Sequence, residues 1–207
     1  MLIICNIINM IYKNHFILAS QSKSRLIILK KLNLKFKTKK HTCDEDKYKK
    51  ELVKKNCSPK KISLFLAKEK AKSIKLKNEI IIGSDTVISF NDKMIEKAKS
   101  LKEAEKKLKK LSGKTHIIIS SAAAYFNNKP VWKSTQKTFV KIRPLSTKEI
   151  KLYLKNCGTG VLSSVGCYQI EKNGPDVIEN IKGDFFNVMG FPLFPFLKFI
   201  KKFNIKQ

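Results

Sequence analysis

A short apolar run at residues 16–20 (FILAS) ends in Ser20, Ser22 and Ser24, after which Leu26, Ile27, Leu29, Leu32 and Leu34 recur at helical spacing. This predicts a strand, a polar loop and an amphipathic helix. Residues 38–55 are polar and charged, carry the acidic cluster Asp44, Glu45 and Asp46, and read as a loop leading toward another helix. Pro59 opens that helix where a missing N–H is tolerated, and Ile62, Phe65, Leu66, Lys70 and Ile74 continue its spacing through residues 58–75. Residues 79–90 (EIIIGSDTVISF) form a nearly continuous apolar run broken by Gly83, Ser84 and Asp85. That is a buried strand with a polar insertion at its centre, and a carboxylate placed there needs a reason.

A helix is expected at residues 100–111, stopped by Gly113, followed by a hairpin of residues 115–126 and 129–142 turning at Asn127 and Asn128. Ser146, Thr147 and Glu149 offer capping chemistry to a helix at residues 147–154. Residues 161–170 look strand-like around Gly166, residues 183–192 read as a loop punctuated by glycine and proline, and residues 194–203 as a closing helix. Strands alternating with helices indicate an α/β fold with a mixed sheet. Neither an internal repeat nor a linker divides the chain, so residues 10–207 are expected to form one unit, with residues 1–9 a candidate extension ahead of Met10.

Composition adjusts this picture modestly. An apolar fraction of 43% with 29% charged residues suits a folded protein with a sizeable core. The formal charge of +28 suggests nucleic acid at first, but lysines run through nearly the whole chain and arginine occurs only at Arg25 and Arg143. A nucleic-acid surface would cluster its charge, use arginine and interleave aromatics. The spread favours a solvated lysine-rich surface that steers polyanionic small molecules, with nucleic acid an unlikely partner. Five cysteines, odd in number and without a CxxC pair, suggest neither a disulfide framework nor a zinc site. The apolar start, residues 1–12, is interrupted by Asn6 and Asn9 and falls short of the roughly 20 residues a membrane helix needs, so a cytoplasmic chain is expected.

Two constellations carry chemistry. Ser20-Gln21-Ser22-Lys23-Ser24-Arg25 joins a strand to a helix, where unpaired N–H groups, hydroxyls and a guanidinium suit a phosphate; spacing alone allows equally a serine-rich cap beside an exposed arginine. Gly83-Ser84-Asp85-Thr86, with Asp44 and Glu45 available from the acidic segment, supplies hard oxygen ligands for Mg²⁺ or Mn²⁺ and a carboxylate that could orient water. The bland reading of Asp85 is a hydrogen-bonded aspartate at a bulge. Lys70 and Lys97 could neutralise phosphate charge, but among so many lysines spacing does not select them.

In this order the motifs resemble the Maf family of nucleotide pyrophosphatases: ILASQSKSR, the pair Asp44 and Glu45, LAKEKA, GSDT, SLKEA with LSGKTH, SVGCYQIE and GDFFNVMGFPL span residues 16–200. The resemblance implies a two-lobed mixed-sheet architecture similar to inosine-triphosphatase-like enzymes, a nucleotide cleft between the lobes, and a homodimer. It implies hydrolysis of nucleoside triphosphates to monophosphate and pyrophosphate with a divalent metal cofactor, Mg²⁺ or Mn²⁺. By position, Ser20, Ser22 and Arg25 would hold phosphates, Glu45 and Asp85 the metal, Asp85 also the attacking water, and Lys70 and Lys97 the triphosphate charge. Glu171 falls where the family reads the nucleobase, and His116 is structural. An association of the family with septum formation implies a role in cell division.

The chain also departs from the family pattern. Lys23-Ser24-Arg25 stands where Pro-Arg-Arg is usual, and Glu96-Lys97-Ala98 where Gly-Lys-Pro is usual. Glu171 is similar to relatives acting on methylated guanosine triphosphate, whereas Thr86 is similar to those acting on thymidine and uridine triphosphates, so the motifs leave the base open. A nucleotide- or nucleic-acid-binding regulator without turnover is the rival reading, resting on the missing arginine, the altered Gly-Lys-Pro and the positive charge.

Overall fold

The computed structural model describes residues 16–205 apart from residue 33; the expectations about residues 1–9, Met10 and Cys5 lie outside them. Seven strands, β1 (Phe16–Leu18), β2 (Phe36–Thr38), β3 (Ile80–Phe90), β4 (Lys93–Ile95), β5 (Thr115–Phe126), β6 (Lys129–Ile142) and β7 (Ile178–Lys182), form a single mixed sheet. Its order is β2-β1-β3-β5-β6-β7, with β4 pairing the far end of β3. β1 runs parallel to β2 and β3, and the remaining pairings are antiparallel. The helices are α1 (Lys23–Lys31), α2 (Glu45–Lys54), α3 (Pro59–Lys72), α4 (Leu101–Leu111), α5 (Thr147–Cys157), α6 (Phe185–Val188) and α7 (Leu193–Ile205). The fold is α/β, as the alternation of patterns indicates.

β3 organises the molecule because its side chains serve several cores. Ile80 and Ile82 enter a cluster with Phe16, Leu29, Phe191 and Phe196, so that β1, α1 and α7 pack there. Ile81 faces the opposite side of the sheet, where Ala71 closes over it from α3 and Tyr125 from β5. Further along, Ile88 and Phe90 join Leu108, Leu111, Ile150 and Leu154 from α4 and α5. One long strand thus runs from one large apolar cluster into another, the arrangement expected of two lobes, and Asp85 sits midway between them. The hairpin follows from Asn127 and Asn128, both left-handed (φ 48° and 63°), as a two-residue turn of this kind requires.

Two expectations are corrected. Residues 38–55 are not mainly loop: α2 fills most of the second half, capped by the Asp44 carboxylate accepting from Lys47 N–H at 3.0 Å. None of its residues is buried, so no core-facing apolar stripe announced it. Residues 161–170 do not form a strand. The sheet edge beyond β6 is taken by β7, while Gly158–Ser163 forms a 3₁₀ turn and Cys167 takes a left-handed φ of 59°. Val161, Cys167 and Tyr168 are still buried, which explains their apolar pattern without a ladder. The segment 183–192 contains the short helix α6. No helix among the described residues is long and apolar enough to cross a membrane.

Candidate active site

α3 lies unusually close to β3, and Gly83 permits it. A Cβ there would overlap the Ala67 carbonyl oxygen and stand 2.6 Å from Ala71 N. Ser63 on the same helix brings its hydroxyl within reach of the Asp85 carbonyl oxygen (3.2 Å) and of Ser121 Oγ (2.8 Å), pinning the helix to the strand at the residue that matters. Two turns along, Lys70 then meets Asp85 side chain to side chain. Its Nζ lies 2.8 Å from Asp85 Oδ1 and 2.9 Å from Glu45 Oε2, so a single ammonium bridges two carboxylates carried by β3 and by the first turn of α2. Lys70 is 4% and Asp85 3% exposed. Buried charges persist only when paired in this manner.

Glu45 has further company in Lys49 Nζ at 3.5 Å and His41 Nε2 at 3.2 Å. Burial alone would raise its carboxyl, but the charge and hydrogen bond of Lys70, with Lys49 and His41 behind them, hold it at about 2. His41 is pushed down by burial and by the charge of Lys70, and its Nε2 faces Glu45 Oε1. Neither His41 nor Lys49 was singled out by motif; both stand four residues from Glu45, on either side of it. Asp44 serves as the helix cap instead of facing the centre.

The phosphate-loop candidates assemble beside this triad. Ser22 is the N-cap of α1, and its side chain makes no cap hydrogen bond. Ser20 Oγ accepts from Ser22 N–H at 3.2 Å and from Arg25 Nη1 at 3.1 Å. Arg25 is 8% exposed and also donates Nε–H to the Gly190 carbonyl at 2.8 Å and Nη2–H to Thr86 Oγ1 at 3.1 Å. Three of its five N–H donors therefore brace the protein, while its charge reaches Asp85 and Glu45. Gly190, at φ 100°, turns its carbonyl toward Arg25, Ser84 and Thr86 together. Thr86 is thereby committed to a hydroxyl network with Ser120 Oγ at 2.9 Å.

Lys97 lies just beyond β4, exposed yet within electrostatic reach of Glu45, Arg25, Lys49 and Lys70; desolvation and the neighbouring amines lower it. Glu171 is tied to the mouth of α1 by Ser24, whose hydroxyl donates to Oε1 at 2.5 Å. Ser24 stands where the family pattern has an arginine, so the departure there becomes a contact to the candidate base reader. The residues picked out by motif are thus neighbours in contact or charge, although they come from α1, α2, α3, β3, the segment after β4 and the turns before β7. His116, by contrast, is buried against Tyr168, with Nε2 and the phenol oxygen 2.6 Å apart, away from these charges.

The donor set suits a divalent cation in part. Asp85 Oδ2 is buried and has no hydrogen-bond partner among the described residues. Together with Glu45 it offers hard anionic oxygens, but no group of three or more His, Cys, Asp or Glu that could hold a metal occurs among the described residues. A carboxylate pair completed by substrate phosphates is how Mg²⁺ is commonly held.

A buried aspartate, a half-buried glutamate, the lysine bridging them and an open helix N-terminus are thus brought together. Residues 15–203 match the family described as Maf-like protein. The chain is 40% identical over 191 residues to the 7-methyl-GTP pyrophosphatase of Bartonella quintana, covering 91% of this chain and 96% of that protein. It is 38% identical over equal shares to the protein of the same name in Bartonella henselae. To the nucleoside triphosphate pyrophosphatase of Caulobacter vibrioides it is 34% identical, over 89% of this chain and 93% of that one. The chain therefore belongs to the Maf family, and its class is that of a pyrophosphatase, a hydrolase of acid anhydrides.

Proposed function

We propose that this protein hydrolyses nucleoside triphosphates between the α and β phosphates, releasing a nucleoside monophosphate and pyrophosphate, and that a base-methylated guanosine triphosphate is among its substrates. The observation that carries the reaction is the Glu45–Lys70–Asp85 triad, with Lys70 and Asp85 buried, beside the uncapped start of α1. The base assignment is supported by Glu171. A carboxylate accepts from the N1–H and 2-amino donors of a guanine edge, and methylation at N7 places positive charge on the ring that a carboxylate favours. The names of the Bartonella relatives agree with it. Thr86, the cue for thymidine and uridine, is occupied with Arg25, Ser120 and the Gly190 carbonyl, which weakens its claim as a base reader.

The residues divide the work. Main-chain N–H groups at the start of α1, with Ser20 and Ser22, orient the phosphates, a helix N-terminus being a ready anion site. Asp85 Oδ2, buried and unpaired, accepts a proton from the water that attacks the α phosphorus, while the bond to the bridging oxygen breaks and pyrophosphate leaves. Lys70 and Lys97 balance the charge gathering on the leaving phosphates, and Arg25 keeps the loop in place. A divalent metal, when held by Asp85 and Glu45 with substrate oxygens, supplies Lewis-acid polarisation of the phosphates.

The test is pyrophosphate release from a panel of canonical and methylated nucleoside triphosphates with Mg²⁺ or Mn²⁺. Release from 7-methyl-GTP that disappears in Asp85→Asn supports the reading. Tight nucleotide binding without any release would instead favour a binding regulator. A homodimer in the cytoplasm remains part of the proposal, tested by light scattering and by localisation of the tagged chain.

A further inference from the structure

Resting on that reading, we infer that Lys70 keeps Glu45 and Asp85 closed to a free divalent cation until a nucleotide arrives with the metal. The bridging ammonium stands between the carboxylates, 2.8 Å from one and 2.9 Å from the other, in the place a shared cation would take. His41 and Lys49 engage Glu45 as well, each from within α2 or just before it. Four cations, Arg25, Lys49, Lys70 and Lys97, thus face two carboxylates.

A free Mg²⁺ or Mn²⁺ approaching Asp85 Oδ2 meets this excess of positive charge in a weakly screened site. It finds few protein oxygens there for a sphere that demands six. A triphosphate reverses both conditions, since it brings negative charge, further oxygen ligands and an alternative anion for the Lys70 ammonium. Metal and nucleotide must then assist one another, and by linkage each raises the affinity of the other by the same factor.

Electron paramagnetic resonance of Mn²⁺ reads this directly, because bound ion loses the sharp signal of the free one. Nucleotide-free wild type is expected to leave Mn²⁺ free at concentrations where the complex with an α,β-methylene triphosphate analogue binds it about tenfold to a hundredfold more tightly than the analogue alone. Lys70→Met, without nucleotide, is expected to gain a site for Mn²⁺ about tenfold tighter than wild type, lost again when Asp85→Asn is added. One-to-one binding of Mn²⁺ by nucleotide-free wild type that Asp85→Asn abolishes would overturn the inference, whether or not Lys70→Met folds, and so would a folded Lys70→Met with no gain. Pyrophosphate release by the same wild-type preparation separates the two readings: turnover with a metal site open before nucleotide defeats only this inference, and absence of turnover defeats the proposed reaction.

Discussion

Two polar groups lie deep in the same sheet, each with an unpartnered atom: Asp85 on β3, with Oδ2 free, and His116 on β5, with Nδ1 free. Their surroundings differ entirely. Asp85 is held by a lysine from one helix, that lysine by a glutamate from another, and an arginine charge stands behind. Among the described residues His116 meets the Tyr168 phenol, which itself lies in an apolar cluster, and desolvation brings it down to about 4. Burial therefore does not mark a site. What distinguishes Asp85 is charge converging from elements far apart in sequence, an arrangement costly to assemble for stability alone.

The largest expected effect breaks the first member of the pair. Asp85→Asn keeps the shape but forfeits the proton acceptor, so kcat for pyrophosphate release should fall by about a thousandfold, within the range for loss of a general base. If the loss were tenfold or less, Asp85 would be no more than a structural group like its counterpart. Gly83→Ala comes next, because a methyl group there would push α3 off β3 and carry Lys70 away from Asp85. Activity should drop by about a hundredfold, the scale of a misplacement near 1 Å, with a stability loss of about 1–3 kcal/mol from overpacking. Chemical denaturation and steady-state kinetics on one preparation check both.

Much of the first region was legible in sequence because its signals are local. GSDT interrupts an apolar strand, serines and an arginine follow another, and LAKEKA holds a lysine on an amphipathic helix. The hairpin, α3, β3 and α4 fall where hydrophobic period and turn residues put them, within a few residues at each end, whereas the three-residue strand β4 was not expected. The lysine bridge was not legible, since it depends on how closely α3 approaches Gly83. His41 and Lys49 escaped notice because a charged helix without a buried face carries no period to align them. The buried stretch at residues 161–170 misled because apolar side chains can fill a core from a 3₁₀ turn as well as from a strand.

Glu171→Gln sharpens the comparison from the rim of the charged region. The amide keeps one acceptor but turns a donor toward the donors of guanine and removes the negative charge offered to a methylated ring. Specificity, kcat/KM for 7-methyl-GTP relative to thymidine triphosphate, should fall about tenfold, the scale of a single pocket interaction, with thymidine triphosphate itself little altered. An equal fall for both substrates would make Glu171 a brace for Ser24 and α1 instead of a base reader.

The smallest effect on activity belongs to His116, and it appears in stability. Its folded value of about 4 lies below the ordinary 6.5, so between those values the unfolded chain binds more protons than the folded one. Stability must then rise with pH across that window and fall as acid is added, by up to about 1.4 kcal/mol per pH unit from this group. Glu45 behaves in the opposite chemical sense with the same direction, since its depressed carboxyl contributes stability above about 4.5 that is lost as pH falls toward about 2. Replacing both His116 and Tyr168, as His116→Leu with Tyr168→Phe, leaves no half-satisfied hydrogen bond behind. The double variant should keep pyrophosphate release at pH 7.5 within about twofold while its denaturation midpoint loses the share of the slope that His116 supplies, read between pH 6.5 and pH 5 where Glu45 adds little. If activity collapsed instead with the fold intact, burial beside an apolar cluster would conceal a working group, and the contrast with Asp85 would fail.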